Sequence, residues 1–390
     1  MKKIVIIGGG VSGLVSALTV KDDNNEVIIL EKNEMIGKKI LVTGNGRCNF
    51  LNDDFSINHF HSVEEDDISR FINEDDKDLV LDFINKLGIE YKVKNGYYYP
   101  FSNKAQTIRE ALEYEVNEKG IKTICNYDVN SIKKVNNTFV INDDINCDYV
   151  IISAGSKSYR QIGGYDLVKK LGHSVTNLYP SLVQVTAKGD YFRKLNGIRT
   201  DVKVSIYDGD KLIKEEDGEL QLTDYGISGI CVFNISRFVS LLDNPKVRIN
   251  FLPFTNDPEK YLSSRPRLSV YYMLSRIINE KLARILIDNS NIDRNSCYSD
   301  LDIFSKERLL DNLCRFEVVV TGTKSFDNSQ VTAGGVKLSE INDNFESKLV
   351  PNLFITGELL NIDGDCGGYN IAFAIISALK ASNYIGGLND

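Results

Sequence analysis

Residues 3–7 form a short β-branched run that stops at Gly8, and Val11, Leu14, Val15 and Leu18 then recur at the spacing of one helix face. Residues 26–30 read as a second strand with an acid, Glu31, at its tip. Strand, glycine turn, helix and strand in that order predict the opening unit of a doubly wound α/β domain. Helices are expected over 76–87 and 106–119, each closed by a glycine, and Asn95-Gly96 is a hairpin turn. Strands are expected over 121–125, 131–134, 138–141 and 148–153, the last returning to the first sheet and ending at Ala154-Gly155.

The pattern changes near Ser181. Val202, Val204 and Ile206 alternate with polar residues, and Asp208-Gly209 and Asp217-Gly218 are both hairpin signals. An antiparallel sheet or small barrel is expected up to about residue 253. Helical spacing with many charges and no glycine fills 257–312. Residues 353–356 read as a strand rejoining the first domain, and a final helix runs from Asn370.

Composition narrows the class. With 390 residues, two or three domains are expected. A net charge of −8 argues against a nucleic-acid partner, which calls for a basic face. The apolar start ends after four residues, too few for a secretory segment. No apolar run approaches the roughly 20 residues that span a bilayer. Seven scattered cysteines make neither a disulfide framework nor a CxxC site, so a reduced, cytoplasmic protein is expected. The three histidines form no metal pattern: His59 and His61 share a side if extended, but no companion ligand is visible.

Gly8-Gly9-Gly10-Val11-Ser12-Gly13 fits G-x-G-x-x-G between a strand and a helix. Gly8 serves the tight turn, Gly10 admits a pyrophosphate and Gly13 allows close helix–strand contact. Glu31 follows at the distance expected of a carboxylate gripping ribose hydroxyls. A second glycine loop, Thr43 to Gly46, follows the second strand, and a third, from Asp363 to Asn370, opens the last helix. An N-terminal dinucleotide unit joined to a far C-terminal glycine-rich helix start is the layout of two-domain flavoproteins, so FAD is the expected cofactor. A helix start also suits the negative charge of a reduced flavin.

The blocks GKKILVTGNGRCNF, YPSLV, LTDYGISG, VTAGGV and TGELLNIDGDCGGYNIAFA, in that order, resemble the aminoacetone-oxidase family of FAD-binding enzymes, also described as bile-acid dehydro-steroid reductase-like flavoproteins. The resemblance runs from Lys3 to about Ser382. It implies a split FAD domain (1–185 and 326–390), an inserted β-barrel domain (186–253) and a small helical domain (254–325). It also implies a place for Glu358 near the ribityl chain. Two departures stand out: the loop from Ser158 to Asp166 is shortened and lacks a proline after Tyr159, and Asp224 stands where histidine is common.

The residues expected to hold FAD are Gly8, Gly10, Ser12 and Gly13; Glu31 and Lys32; Lys39, Thr43, Gly44, Gly46, Arg47, Cys48 and Asn49; Val129; Ala154 and Gly155; and Gly357, Glu358, Asp363, Gly368, Tyr369, Asn370 and Ile371. Arg47 would hold a substrate acid or steady the reduced flavin, unless it pairs structurally with a carboxylate. Cys48 and Cys366 invite a redox disulfide, but catalytic dithiols sit close in sequence and packing explains both. Tyr97, Tyr98 and Tyr99 would line an aromatic pocket or simply alternate along a strand. No catalytic residue and no metal ligand is singled out.

The expected activity is a reductase or dehydrogenase acting on a small organic molecule, such as one with a conjugated C=C bond, by hydride transfer through flavin N5. No second dinucleotide motif appears, so NAD(P)H would dock transiently or the electrons come from elsewhere. Oxidation of an amine or aminoketone, and a non-enzymatic flavin redox sensor, are the alternatives. Transfer-RNA-modifying flavoproteins share the broad fold, and the net charge counts against that reading. The oligomeric state is not legible.

Overall fold

Ile4 to Ile7 are buried on both faces, so the strand Lys2–Ile7 reads as a continuous apolar run, as a central parallel strand must. It lies in the middle of a five-stranded sheet. The order is Leu353–Ile355, Tyr149–Ile152, Lys2–Ile7, Asn25–Leu30, Lys122–Ile124, and every pair is parallel. The chain thus leaves the sheet after residue 152 and returns to its edge 200 residues later. The computed structural model describes residues 1–64, 66–159 and 163–387.

The chain divides into two units, Met1–Tyr179 with Gln330–Asp390, and Pro180–Ser329. In the first, the helices Val11–Val20 and Tyr369–Gly387 pack against each other, and their apolar residues join the sheet in one core. The first and last segments of the sequence therefore build one doubly wound α/β domain. Two three-stranded antiparallel sheets decorate it. One comprises Ile132–Val135, Thr138–Ile141 and Ile145–Cys147; the other joins Leu51–Asn52, Tyr97–Pro100 and Tyr91–Lys94.

The second unit is a closed six-stranded barrel with helices. Its strand order is Val185–Lys188, Gly226–Ser228, Lys211–Thr223, Arg199–Asp208, Pro245–Asn250 and Phe316–Thr323. Val202, Val204 and Ile206 point into its core. Four helices between residues 258 and 314 start on side-chain caps from Asp257, Ser269, Asn279 and Asp302, each accepting a backbone N–H of the first turn.

Three expectations need correction here. Asp208-Gly209 does turn a hairpin, but Asp217-Gly218 lies inside the strand Lys211–Thr223, with Gly218 opposite Val202. The glycine is there for space: a Cβ on it would lie 3.4 Å from that of Cys231, on the helix Ile230–Leu241 that packs over the strand. That helix itself falls in the segment expected to be barrel alone. The span 254–325 is not wholly helical either, because Phe316–Thr323 pairs with Val185–Lys188 and closes the barrel. Closure removes the exposed edges that an open sheet would leave. Among the described residues no helix is long and apolar enough to cross a membrane.

Candidate functional site

At the carboxyl ends of the parallel strands, the first glycine turn is fixed by backbone contacts too close for any side chain. A Cβ on Gly13 would lie 1.9 Å from the Gly8 carbonyl oxygen, and one on Gly8 would lie 2.4 Å from that of Ser153. Gly10 differs, because nothing lies within 4 Å of its Cβ position. It also caps the helix Val11–Val20 without any side-chain cap, so the first-turn N–H groups are left for an anion.

Glu31 ends the second strand, buried beside this turn. Its Oε2 accepts the Gly9 N–H at 2.6 Å, and its Oε1 accepts the backbone N–H and the side-chain amide of Asn33 at 2.8 and 2.6 Å. Tyr127 donates its N–H to the Glu31 carbonyl, which brings the segment carrying buried Val129 past the strand tip. Lys32 points outward and pairs with Asp128 at 3.3 Å. Ser12 turns inward: its hydroxyl donates to Thr356 Oγ1 at 2.8 Å, and Ser153 Oγ lies 2.7 Å from the same atom. This buried hydroxyl cluster ties the first helix to two strand ends. Gly357 lies over it, with Ser12 Cβ only 3.0 Å from its own Cβ position.

Lys39 and Glu358, 319 positions apart, form a half-buried ion pair at 2.5 Å. Ser158 joins both, accepting from Lys39 at 2.8 Å and donating to Glu358 Oε1 at 3.1 Å. The Thr332 N–H also points at Oε1. The hydroxyls of Tyr165 and Thr332 are buried here with no hydrogen-bond partner of proper geometry. Burial first, and the nearby Glu358 charge second, push the Tyr165 phenol far above its ordinary pKa. The loop continuing from Lys39 buries Cys48 completely, which drives its thiol up to about 11, and leaves Asn49 Oδ1 buried without a donor. All seven cysteines are free thiols, and Cys48 is held in its unreactive form. The same loop carries Thr43, whose hydroxyl donates to the Ile40 carbonyl at 2.6 Å, and leaves Gly44 exposed. Arg47 pairs with no carboxylate among the described residues; its guanidinium lies over the Tyr99 ring.

The last helix begins in a tight loop. The Asn370 side chain closes it by accepting the Gly364 N–H and donating to the Gly364 carbonyl, both at 2.8 Å. A Cβ on Gly368 would lie 2.5 Å from the Leu51 nitrogen, so only glycine fits. Ile371 is half-buried behind this start. Asp363 is buried in the short ladder that pairs it with His61.

That ladder reveals what the sequence did not show. Asp365 is the missing companion of the two histidines: its Oδ2 lies 3.0 Å from His59 Nδ1 and its Oδ1 2.9 Å from His61 Nε2. Asp54 takes the other nitrogen of His59 at 3.0 Å, and the Tyr369 ring stacks on the imidazole at 4.5 Å. The only sequence signal was the acid-rich run before Cys366. No three such residues among those described are arranged to hold a metal ion. The third histidine, His173, is buried and bonded to Glu340 and Ser347. Residues 160–162 of the shortened loop lie outside the described residues.

An open approach over Gly10, an uncapped helix start and buried acceptors and hydroxyls with unused capacity fit a long, polar, phosphate-bearing cofactor such as FAD.

Comparison with known proteins agrees. The family described as HI0933-like protein Rossmann domain matches residues 2–384. The chain is 36% identical to a 3-dehydro-bile acid delta(4,6)-reductase of Clostridium scindens, over 96% of each chain. It is 28% identical to a ribosomal RNA dihydrouridine synthase of Haemophilus influenzae, again over 96% of each. Its fold is that of a 3-ketosteroid delta1-dehydrogenase from Sterolibacterium denitrificans, with a TM-score of 0.51, 10% identity and full coverage of both chains.

Proposed function

We propose that this chain, which belongs to the HI0933-like protein Rossmann domain family and is an FAD-dependent oxidoreductase, reduces a C=C bond conjugated to a carbonyl in a flat, apolar, steroid-like molecule. The observation that carries this reading is the end-to-end similarity to the bile acid reductase at 36% identity. When bound, FAD would supply the hydride chemistry, which no side chain can provide.

The chain's own residues would do the holding. The turn from Gly8 to Gly13 and the uncapped helix start would take the pyrophosphate, where N–H groups and the helix dipole favour negative charge. Glu31, with Lys32 and Val129 beside it, would take the ribose end. Lys39, Ser158 and Glu358 would take the polyol chain, exchanging one polar lattice for another. The loop Thr43 to Asn49, apart from the exposed Arg47 side chain, would take the ring together with Ala154-Gly155 and the loop from Asp363 to Ile371. The dipole of the 19-residue final helix would then favour the charge that reduction brings.

NADH or NADPH, docking transiently, is the proposed electron source. Anaerobic mixing of the FAD-loaded protein with each, followed at about 450 nm, tests this. Bleaching within seconds is expected with one of them. No bleaching with either would leave the substrate itself as the electron source and overturn the reductive direction.

The similarity to the ribosomal RNA dihydrouridine synthase favours a second reading, because the uracil double bond is also conjugated to a carbonyl. The net charge of −8 weighs against it. Dihydrouridine formation in ribosomal RNA incubated with the reduced protein would support this second reading.

A further inference from the structure

We infer that Arg47, whose guanidinium lies over the Tyr99 ring, binds a carboxylate on the substrate, and that Tyr97 and Tyr99 cover the substrate's apolar body. The inference rests on the substrate class proposed above and adds to it an anionic end and a place for that end.

The loop that carries Arg47 is wound by left-handed backbone at Gly44, Asn45, Gly46 and Cys48, with φ of 52°, 53°, 77° and 54°. This winding sends adjacent side chains opposite ways: Cys48 is fully buried and Arg47 is exposed. The guanidinium carbon stands 5.2 Å from the Tyr99 ring centroid, and Nε donates to the Gly44 carbonyl at 3.4 Å. The two terminal nitrogens donate to nothing among the described residues. These terminal N–H groups form the fork that grips a carboxylate with two bonds.

The aromatic row follows from strand alternation. Tyr98 turns inward, buried, and donates to Asp53 at 2.6 Å, while Tyr97 and Tyr99 lie half-buried on the opposite face. The edge of Tyr97 reaches the glycine turn of the final helix, where a Cβ on Gly367 would lie 3.1 Å from its Cε1. Two strand residues span about 7 Å, so the guanidinium stands on the order of 10 Å from that turn along a surface of two rings. An elongated apolar molecule with a terminal carboxylate matches this row, with its apolar length on the tyrosines and its charge on Arg47. The buried Cys48 beside it contributes no reactive thiol.

The test is calorimetric binding to the FAD-loaded protein, using a saturated steroid carboxylic acid and its methyl ester, for the wild type, Arg47→Gln and Arg47→Lys. FAD content and thermal midpoint are read for each variant. The acid is expected to bind the wild type about 10-fold tighter than the ester, a gap that Arg47→Gln closes and Arg47→Lys partly restores. Ester affinity, FAD content and thermal midpoint should be unchanged. Equal affinities for acid and ester in the wild type would overturn the inference, as would failure of both to bind. Loss of FAD from Arg47→Gln would place the side chain on the cofactor and overturn it too. Binding as expected without any turnover of an unsaturated steroid would sink the proposed reaction and leave this site standing.

Discussion

His59 Nδ1 lies 3.0 Å from Oδ2 of Asp365, a residue 306 positions further along the chain. The carboxylate is almost fully buried, and its second oxygen is 2.9 Å from His61. With Asp54 on the far side of the ring and Tyr369 stacked on its face, His59 ties residues 54–61 to the loop that opens the final helix. A buried acid shared by two imidazoles holds that loop more firmly than glycine-rich backbone could by itself.

This contact makes stability depend on pH. The Asp365 hydrogen bond, helped by Asp54, raises the His59 pKa above its usual 6.5, against the opposing effect of burial. A raised folded-state pKa stabilises fully below the unfolded value and ceases to do so as pH rises through the folded one. Urea unfolding should show His59→Gln costing roughly 1–2 kcal/mol at about pH 5.5 and clearly less at about pH 9. An equal cost at both would mean that the charge on His59 contributes nothing.

Two glycines of the same turn should part company on substitution. Gly13→Ala drives a methyl into the Gly8 carbonyl, which is backbone and cannot yield, so a loss of about 3 kcal/mol or more is expected along with FAD. Gly10→Ala has open space around it and should fold with an unchanged thermal midpoint. Its FAD affinity should nevertheless fall about 10-fold or more, because the methyl would stand where the pyrophosphate is proposed to approach. Unimpaired FAD binding by Gly10→Ala, measured by fluorescence titration, would move the cofactor away from this turn.

In the barrel unit, Gly218 tests packing alone. Alanine there meets Cys231 at 3.4 Å and should be tolerated, whereas valine should cost about 1–3 kcal/mol by pushing against the helix Ile230–Leu241. Equal stability of the two variants in urea would show that the helix does not need the gap.

Much of the cofactor domain was legible because its signals are local. Gly8 to Gly13 joins an apolar strand to a helix within one short stretch, and Gly367-Gly368 directly precedes the last helix. Asp217-Gly218 misled for the opposite reason: the dipeptide has a turn's composition, but a helix crossing from residue 230 decided the glycine's use. The closing strand Phe316–Thr323 gave little warning, because it follows a helix directly and pairs with a strand over 120 residues earlier. His59 with Asp365, and Lys39 with Glu358, could not be paired from spacing, since only the return of the chain to the sheet brings them together.

The central claim is FAD-dependent reduction of a C=C bond conjugated to a carbonyl. Its most direct test is to reduce the FAD-loaded protein chemically without oxygen, then mix it with one equivalent of a 3-oxo-4-ene steroid acid. Full return of absorbance at about 450 nm and a steroid product heavier by two hydrogens are expected. Absorbance that stays bleached with the steroid, yet returns at once on admitting oxygen, would contradict it and identify an oxidase.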